Sequence, residues 1–360
     1  MTTRMNIIYG ICSWGLGHAT RSLPVMRKLI MEGHELTIIS HGRSIELLQK
    51  ELGENAEYIS IPDYPMLLSE NAKQFMAKSL IYWPVFLRKI ESGLLQLSKI
   101  LKLKKYDRII SDARYDMYSK EVPSFFISHQ MRIMNPLRIH MFETGSELFN
   151  LFFFKRFSGV IVPDFREQDI SGNLSHNLKK IDEKQLHYVG ILSDFNKIKR
   201  KKDIDFLISL SGPEPQRSIL ENKMKDQIHD LKGNVVLTLG KTESLMQTKQ
   251  ENIQMYSFLD KDKREEMLNR SKLVISRSGY STLMDLAVLG TKALLIPTPG
   301  QIEQEYLGEY HNILGTFYSV KQNKIQLDRD VNIAQQTTGI QRDCNIADTV
   351  ENIIEIISTI

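Results

Sequence analysis

Apolar residues fall in short dense runs along this chain, each followed by a turn and then by residues at helical spacing. MNIIYGIC (5–12) is short, β-branched and glycine-bounded, the pattern of a buried strand. Residues 19–32 place Leu23, Met26, Leu29 and Ile30 on one helical face, and HELTIIS (34–40) predicts a second strand. Strand, helix, strand at this spacing implies parallel strands joined by a right-handed crossover. Further strands are predicted at 107–112, 122–128 and 158–164, with helical stretches between several of them.

At 194–203 the pattern breaks into DFNKIKRKKD, polar and basic, which reads as a linker. It then restarts with strands predicted at 204–212, 233–240, 253–259, 272–279 and 292–300, and closes on an amphipathic helix at 345–360. Two βα series of similar size predict an α/β protein of two Rossmann-like, doubly wound domains facing a central cleft. The expected boundaries are 1–195, 203–344 and the final helix 345–360, which is expected to cross back to the first domain. Residues 80–106 are apolar with a late lysine cluster. They read either as a core-packed helix or as a peripheral contact with an anionic membrane surface; 147–157 shares the ambiguity.

Composition narrows the function classes. Of 360 residues 42% are hydrophobic and 25% charged, enough to bury real cores. The net charge of +4 mildly favours anionic partners such as phosphorylated metabolites. No basic arm or recognition motif supports a nucleic-acid partner. The two cysteines, Cys12 and Cys344, are far apart and exclude a disulfide framework or a cysteine-rich metal site. A reducing cytoplasm is therefore expected, either free or at the inner face of a membrane. The first residues lack the pattern of a signal peptide, and no uncharged apolar run approaches the ~18 residues of a membrane span.

Three turns carry candidate chemistry. CSWGLGHATR (12–21) follows the first strand with Gly15, Gly17 and His18. It is a poor dinucleotide cradle. Thr20 stands where the third glycine belongs, and Ser40 and His41 stand where an acid should bind ribose. LVISRSGYSTLMDLAVLG (273–290) is a better phosphate site: strand, Arg277-Ser278-Gly279 turn, then a helix whose N-terminus carries about half a positive charge. Arg277 offers a full charge, and Asp285 further along suits a ribose diol. SLSGPEPQR (209–217) is a second such turn, and PTPGQIEQEY (297–306) supplies Gln301, Glu303, Gln304 and Glu305 for sugar hydroxyls. The acid pairs Asp203/Asp205 and Asp260/Asp262 only superficially resemble a metal motif, and no metal is expected. His129, His140, His176 and His187 are expected to be structural or on the surface, and Trp14 and Trp83 to be buried.

The RSG…D helix and the PTPGQIEQEY segment resemble the donor-binding half of GT-B glycosyltransferases, specifically family 28, the MurG-like type. GLGHATR resembles the N-terminal loop of the same superfamily. With SDARY (111–115), SHQMRI (128–133), VPDF (162–165), SGNLSH (171–176) and LSGPEPQR (210–217), the chain looks like a little-characterised bacterial and archaeal branch of that group.

The resemblance implies an inverting, metal-independent transfer of a hexosyl or N-acetylhexosaminyl group. The donor would be a nucleotide sugar, UDP-linked, and the acceptor a glycan or lipid-linked hydroxyl; no cofactor is implied. Asp285 would bind ribose, where the family usually has glutamate. The backbone of Leu259 would meet the base, and Ser211, Gly212, Ser278 and Gly279 the diphosphate. Gln304 and Glu305 would face the sugar. His18 would be the base and Asp112 its partner, with Asp116 as a competing carboxylate. A non-hydrolysing nucleotide-sugar epimerase shares the architecture, and a silent nucleotide-sugar-binding subunit would retain the donor motif without turnover.

Overall fold

The computed structural model describes residues 4–64, 72–135, 137–241 and 246–359, with backbone only for 72–81. The chain divides into two compact units, residues 1–194 with 345–360, and residues 195–344.

The first unit runs β1 (Asn6–Ile11), α1 (Gly17–Met31), β2 (Glu35–Ser40), α2 (Gly42–Leu52), β3 (Glu57–Ser60), α3 (Ala72–Leu103), β4 (Arg108–Asp112), β5 (Ser124–Ile127), α4 (His140–Phe154), β6 (Gly159–Val162) and β7 (Leu186–Tyr188). Its seven strands are all parallel, in the order β3-β2-β1-β4-β5-β6-β7. The order reverses between β1 and β4, where Ile11 lies in register with Asp112. Ligands in open α/β sheets bind in the crevice at such a reversal, outside the carboxyl ends of the strands.

The second unit repeats the plan with β8 (Ile204–Ser209), α5 (Gln216–Gln227), β9 (Val235–Thr238), β10 (Gln247–Gln250), β11 (Ile253–Tyr256), α6 (Lys261–Arg270), β12 (Ser271–Ser276), α7 (Tyr280–Leu289), β13 (Lys292–Leu295), α8 (Ile302–Ile313), β14 (Tyr318–Ser319) and α9 (Leu327–Ala334). Its order is β10-β11-β9-β8-β12-β13-β14, parallel except for the β10–β11 pair. Here the reversal lies between β8 and β12, with Ser209 beside Ser276.

α10 (Ile346–Thr359) belongs to the first unit and packs on α1. Its apolar face buries Val350, Ile353, Ile354 and Ile357. Arg108 Nε donates to the Ile357 carbonyl at 2.6 Å, and Lys28 pairs with Glu351.

The central strands form because their β-branched and large apolar residues are shielded on both faces by helices, as parallel sheets require. Ile7, Ile8, Ile109, Ile110 and Phe125 are fully buried in one sheet, and Leu273, Leu294 and Leu295 in the other. The basic run 195–203 is tied into the second unit. Ile198 N–H donates to Asn269 at 2.8 Å and Lys202 Nζ to the Ser271 carbonyl at 2.8 Å. The apolar segment expected from residue 80 belongs to α3, which starts earlier, at Ala72; the side chains of 80 and 81 lie outside the described residues.

Candidate active site

At the reversal of the first sheet, β1 hands over to a loop held from three sides. Ser13 Oγ donates to Asp63 at 2.6 Å, Trp14 Nε1 to the Tyr64 carbonyl at 2.7 Å, and Ser44 Oγ to the Gly15 carbonyl at 3.0 Å. Gly15 has φ +79°, which a side chain would strain. The helix starts at Gly17, so His18 lies in its first turn.

His18, Arg21 and Ser22 follow at i, i+3 and i+4 and so share one helix face. All three meet Asp112, which ends β4 and is fully buried. His18 Nδ1 lies 2.8 Å from Asp112 Oδ1. Arg21 grips both carboxylate oxygens, with Nε on Oδ2 at 2.8 Å and Nη2 on Oδ1, and Ser22 Oγ donates to Oδ2 at 2.8 Å. Burial pushes this carboxyl upward, but Arg21 and then His18 outweigh it and hold it well below the usual carboxylate range. An ionised Asp112 accepts Nδ1–H from His18, which leaves the lone pair on Nε2. The His18 side chain is 19% exposed while Asp112 is sealed, so only the histidine is reachable by a substrate.

Arg21 and Ser22 were not anticipated, although their spacing from His18 is a signal. His129, expected to be structural or on the surface, joins this buried network with Nδ1 3.1 Å from Arg21 Nη1. Asp116 does not compete for His18. It is buried in a bidentate pair with Arg114 at 3.0 and 2.6 Å.

The motifs SDARY, SHQMRI, VPDF and SGNLSH knit together beside this site. Tyr115 Oη donates to Asn150, whose amide donates to the Met131 carbonyl. Arg132 N–H donates to the Leu174 carbonyl. Asp164 accepts N–H from Phe165, Ile170 and Ser171, and His176 Nε2 meets the Phe165 carbonyl at 2.9 Å. Asp164, Asp169 and His176 bring ligand atoms within 4.8 Å of one another. Asp164 nevertheless spends both oxygens on backbone N–H groups, as a carboxylate that folds a loop does.

In the second unit the two expected turns meet at the β8/β12 reversal. Gly212 has φ +111°, and a Cβ there would sit 3.5 Å from Thr298 Oγ1 and 3.7 Å from Arg277 Nε. Arg277, expected to face a diphosphate, turns inward instead and is 2% exposed. It donates to the carbonyls of Ser211 (3.3 Å), Gln216 (3.0 Å), Ile296 (3.1 Å) and Pro297 (3.3 Å). No carboxylate is among these partners, and burial lowers its pKa to about 10. The guanidinium therefore braces the segments after β8 and β13 and leaves its charge beneath them.

Ser278 is buried with its hydroxyl on the Gln304 carbonyl at 2.7 Å. Gln304, expected at the donor sugar, is buried and accepts the Thr298 N–H at 2.9 Å. Both therefore shape the turn through side-chain hydrogen bonds. Gly279 is the N-cap of α7 and puts no side chain over the first-turn N–H groups. Ser211 and Gly212 are exposed, Glu305 is exposed with Oε1 on the Gly300 N–H, Asp285 is half-buried in the second turn of α7, and Leu259 is buried after β11.

Three of the four paired acids have structural partners. Asp203 pairs with Arg270 and Asp205 with Lys272, and Asp260 caps α6 by accepting the Lys263 N–H. Trp83, expected to be buried, is 41% exposed. Among the described residues no helix is long and apolar enough to cross a membrane.

Residues 216–325 match the glycosyltransferase family 28 C-terminal domain, and residues 5–112 match a glycosyl transferase family 1 model, one on each unit. A protein described as an uncharacterized glycosyltransferase from Methanosarcina acetivorans is 24% identical over 318 residues, covering 84% of this chain and 80% of that one. Among solved structures, Acinetobacter baumannii MurG superposes with a TM-score of 0.60 at 12% identity, over 99% of this chain and 100% of that one. Spinosyn rhamnosyltransferase SpnG, complexed with thymidine diphosphate, gives 0.58 at 12%, over 98% and 96%. The doubly wound units and these matches agree: the chain is a glycosyltransferase of GT-B type, and its second unit matches the family 28 C-terminal domain found in MurG-like enzymes.

Proposed function

We propose that the enzyme transfers a sugar from a UDP-sugar to a hydroxyl acceptor with inversion and without a metal. The single observation that carries this reading is the His18–Asp112 pair at the reversal of the first sheet. His18 Nε2 takes the proton of the acceptor hydroxyl as its oxygen bonds to the anomeric carbon. The bond from that carbon to the β-phosphate oxygen breaks, and the nucleoside diphosphate leaves with the electron pair. Asp112 fixes the tautomer and steadies the imidazolium. One base acting on the acceptor fits a single displacement, which inverts the anomeric centre.

The leaving diphosphate is assigned to the second unit. The N-terminus of α7 at Gly279 and the Ser211–Gly212 turn supply N–H groups, and the buried charge of Arg277 lies beneath them. Asp285 is assigned to the ribose, Leu259 to the base and Glu305 to the sugar, with Gln304 holding the turn beneath them. That SpnG is complexed with thymidine diphosphate supports a nucleotide-linked donor.

The acceptor is assigned to the first unit, with a peripheral contact between α3 and α4 and an anionic membrane. Trp83, Leu87, Leu148 and Phe152 are exposed there beside Arg88, Lys89 and Lys155.

The test is a thermal-shift screen of nucleotides and nucleotide sugars with chelator present, on wild type and Asp285→Ala. A UDP-sugar should raise the melting temperature of wild type selectively and lose that effect in the variant. No shift with any nucleotide on folded protein would sink the reading.

A further inference from the structure

Away from His18, the first turn of α4 and the loop 172–179 enclose a cavity of about 170 Å³, with Arg132, His140, Glu143, Thr144, Asn177 and Lys179 on its walls. Its floor is ionic and already balanced. Arg132 donates Nε to Glu147 Oε1 at 2.7 Å and its other nitrogens to the carbonyls of Asn173 and Asn177. Glu147 Oε2 accepts the N–H groups of Lys179 and Lys180, each at 2.7 Å.

Glu143 is different. It is 6% exposed, and its Oε1 has no hydrogen-bond partner among the described residues. Oε2 lies 3.7 Å from Nδ1 of the exposed His140. A buried carboxylate oxygen without a donor is costly and rare, so a donor from outside the chain would stabilise it.

The surrounding charge decides which donor. A cation would meet Arg132, Lys179 and His140 at close range. An anion would meet Glu143. A neutral group that both donates and accepts satisfies carboxylate, amide, hydroxyl and ammonium together. The volume is below the ~300 Å³ of pockets that enclose a drug-sized ligand, so it suits one ring and excludes a whole nucleotide sugar.

We propose that this cavity is a subsite for one carbohydrate ring, with Glu143 Oε1 accepting a hydrogen bond from a ring hydroxyl. That the ring belongs to the acceptor rests on the transferase reading; the binding itself does not.

Saturation-transfer NMR on the full chain tests it, with the methyl glycosides of glucose, galactose, mannose and N-acetylglucosamine as probes and UDP in a parallel sample. At least one glycoside should bind wild type. Glu143→Met removes the acceptor oxygen and should weaken that binding about tenfold or more, the worth of one hydrogen bond to a charged group. Asn177→Ala, at an exposed position, should weaken it as well and serves alone if Glu143→Met fails to fold. UDP binding should be the same in all three proteins. No glycoside bound to wild type, or equal binding in wild type and variants, overturns the subsite. Glycoside binding lost on substitution while UDP never binds would keep the subsite and remove the transferase reading.

Discussion

At the reversal of the first sheet a carboxylate, Asp112, lies fully buried and is gripped by a guanidinium, an imidazole and a hydroxyl. At the reversal of the second sheet a guanidinium, Arg277, lies buried and among the described residues is held by neutral carbonyls. The topologies are alike and the electrostatics opposite. On the proposed reading, a charge-compensated carboxylate beneath a reachable histidine serves to move a proton. On the same reading, a cation with no carboxylate partner among the described residues, beneath glycine turns and a helix N-terminus, serves to receive negative charge. The proposed reading thus gives the same architectural position two kinds of chemistry, chosen by a few side chains under the loops.

That contrast can be broken at its most exposed member first. His18→Ala should lower kcat by about 10²–10⁴-fold, the usual worth of a general base. Nucleotide binding by the second unit should be unchanged, as calorimetry with UDP would read. Near-normal turnover would show that the first reversal does not handle the proton.

Arg21→Met attacks the compensation instead. It strands a buried carboxylate and should cost about 3–5 kcal/mol in denaturant unfolding. The pH dependence should also change sign. In wild type the Asp112 carboxyl is held below its ordinary value of 3.8. Its stabilisation is complete above that value and is lost as pH falls through the lower folded one. In the variant burial dominates and pushes the carboxyl up, so stability should recover as pH is lowered from 7 toward 4. Parallel stability–pH curves for the two proteins would refute the compensation.

Arg277→Met tests the other side and should have the smallest effect of the three. It leaves the carbonyls of the two segments after β8 and β13 without their donor and should cost about 1–3 kcal/mol. It also removes the charge beneath the turns, so UDP binding should weaken while that of the simple glycosides stays as it was. Unchanged UDP affinity would make Arg277 a brace only.

Much of the fold was legible because central strands of a parallel sheet are buried on both faces and read as unbroken apolar runs. β1, β4, β8 and β12 each appear as such a run, within a few residues of their observed ends. The strands left unread lie at or near sheet edges. β3 (EYIS) has two exposed ends, β10 (QTKQ) is exposed throughout, and β7 and β14 have only three and two residues. Edge strands need little apolar surface, so they leave little pattern. The His18–Asp112 pair was legible through the resemblance to GT-B enzymes, which implies it. His129 was not, because its tie to Arg21 spans 108 positions of sequence.

By itself the sequence determined that two βα series exist and which turns carry glycine, histidine, arginine and carboxylate, since those follow from local spacing and residue type. Only the tertiary structure decided that β1 lies beside β4 and β8 beside β12, because strand order is set by long-range crossovers that leave no local mark. It also decided which charges are spent inside. Arg277 reads outward in the sequence and turns inward in the fold, because the carbonyls of the segments after β8 and β13 converge on it there and buried carbonyls need a donor.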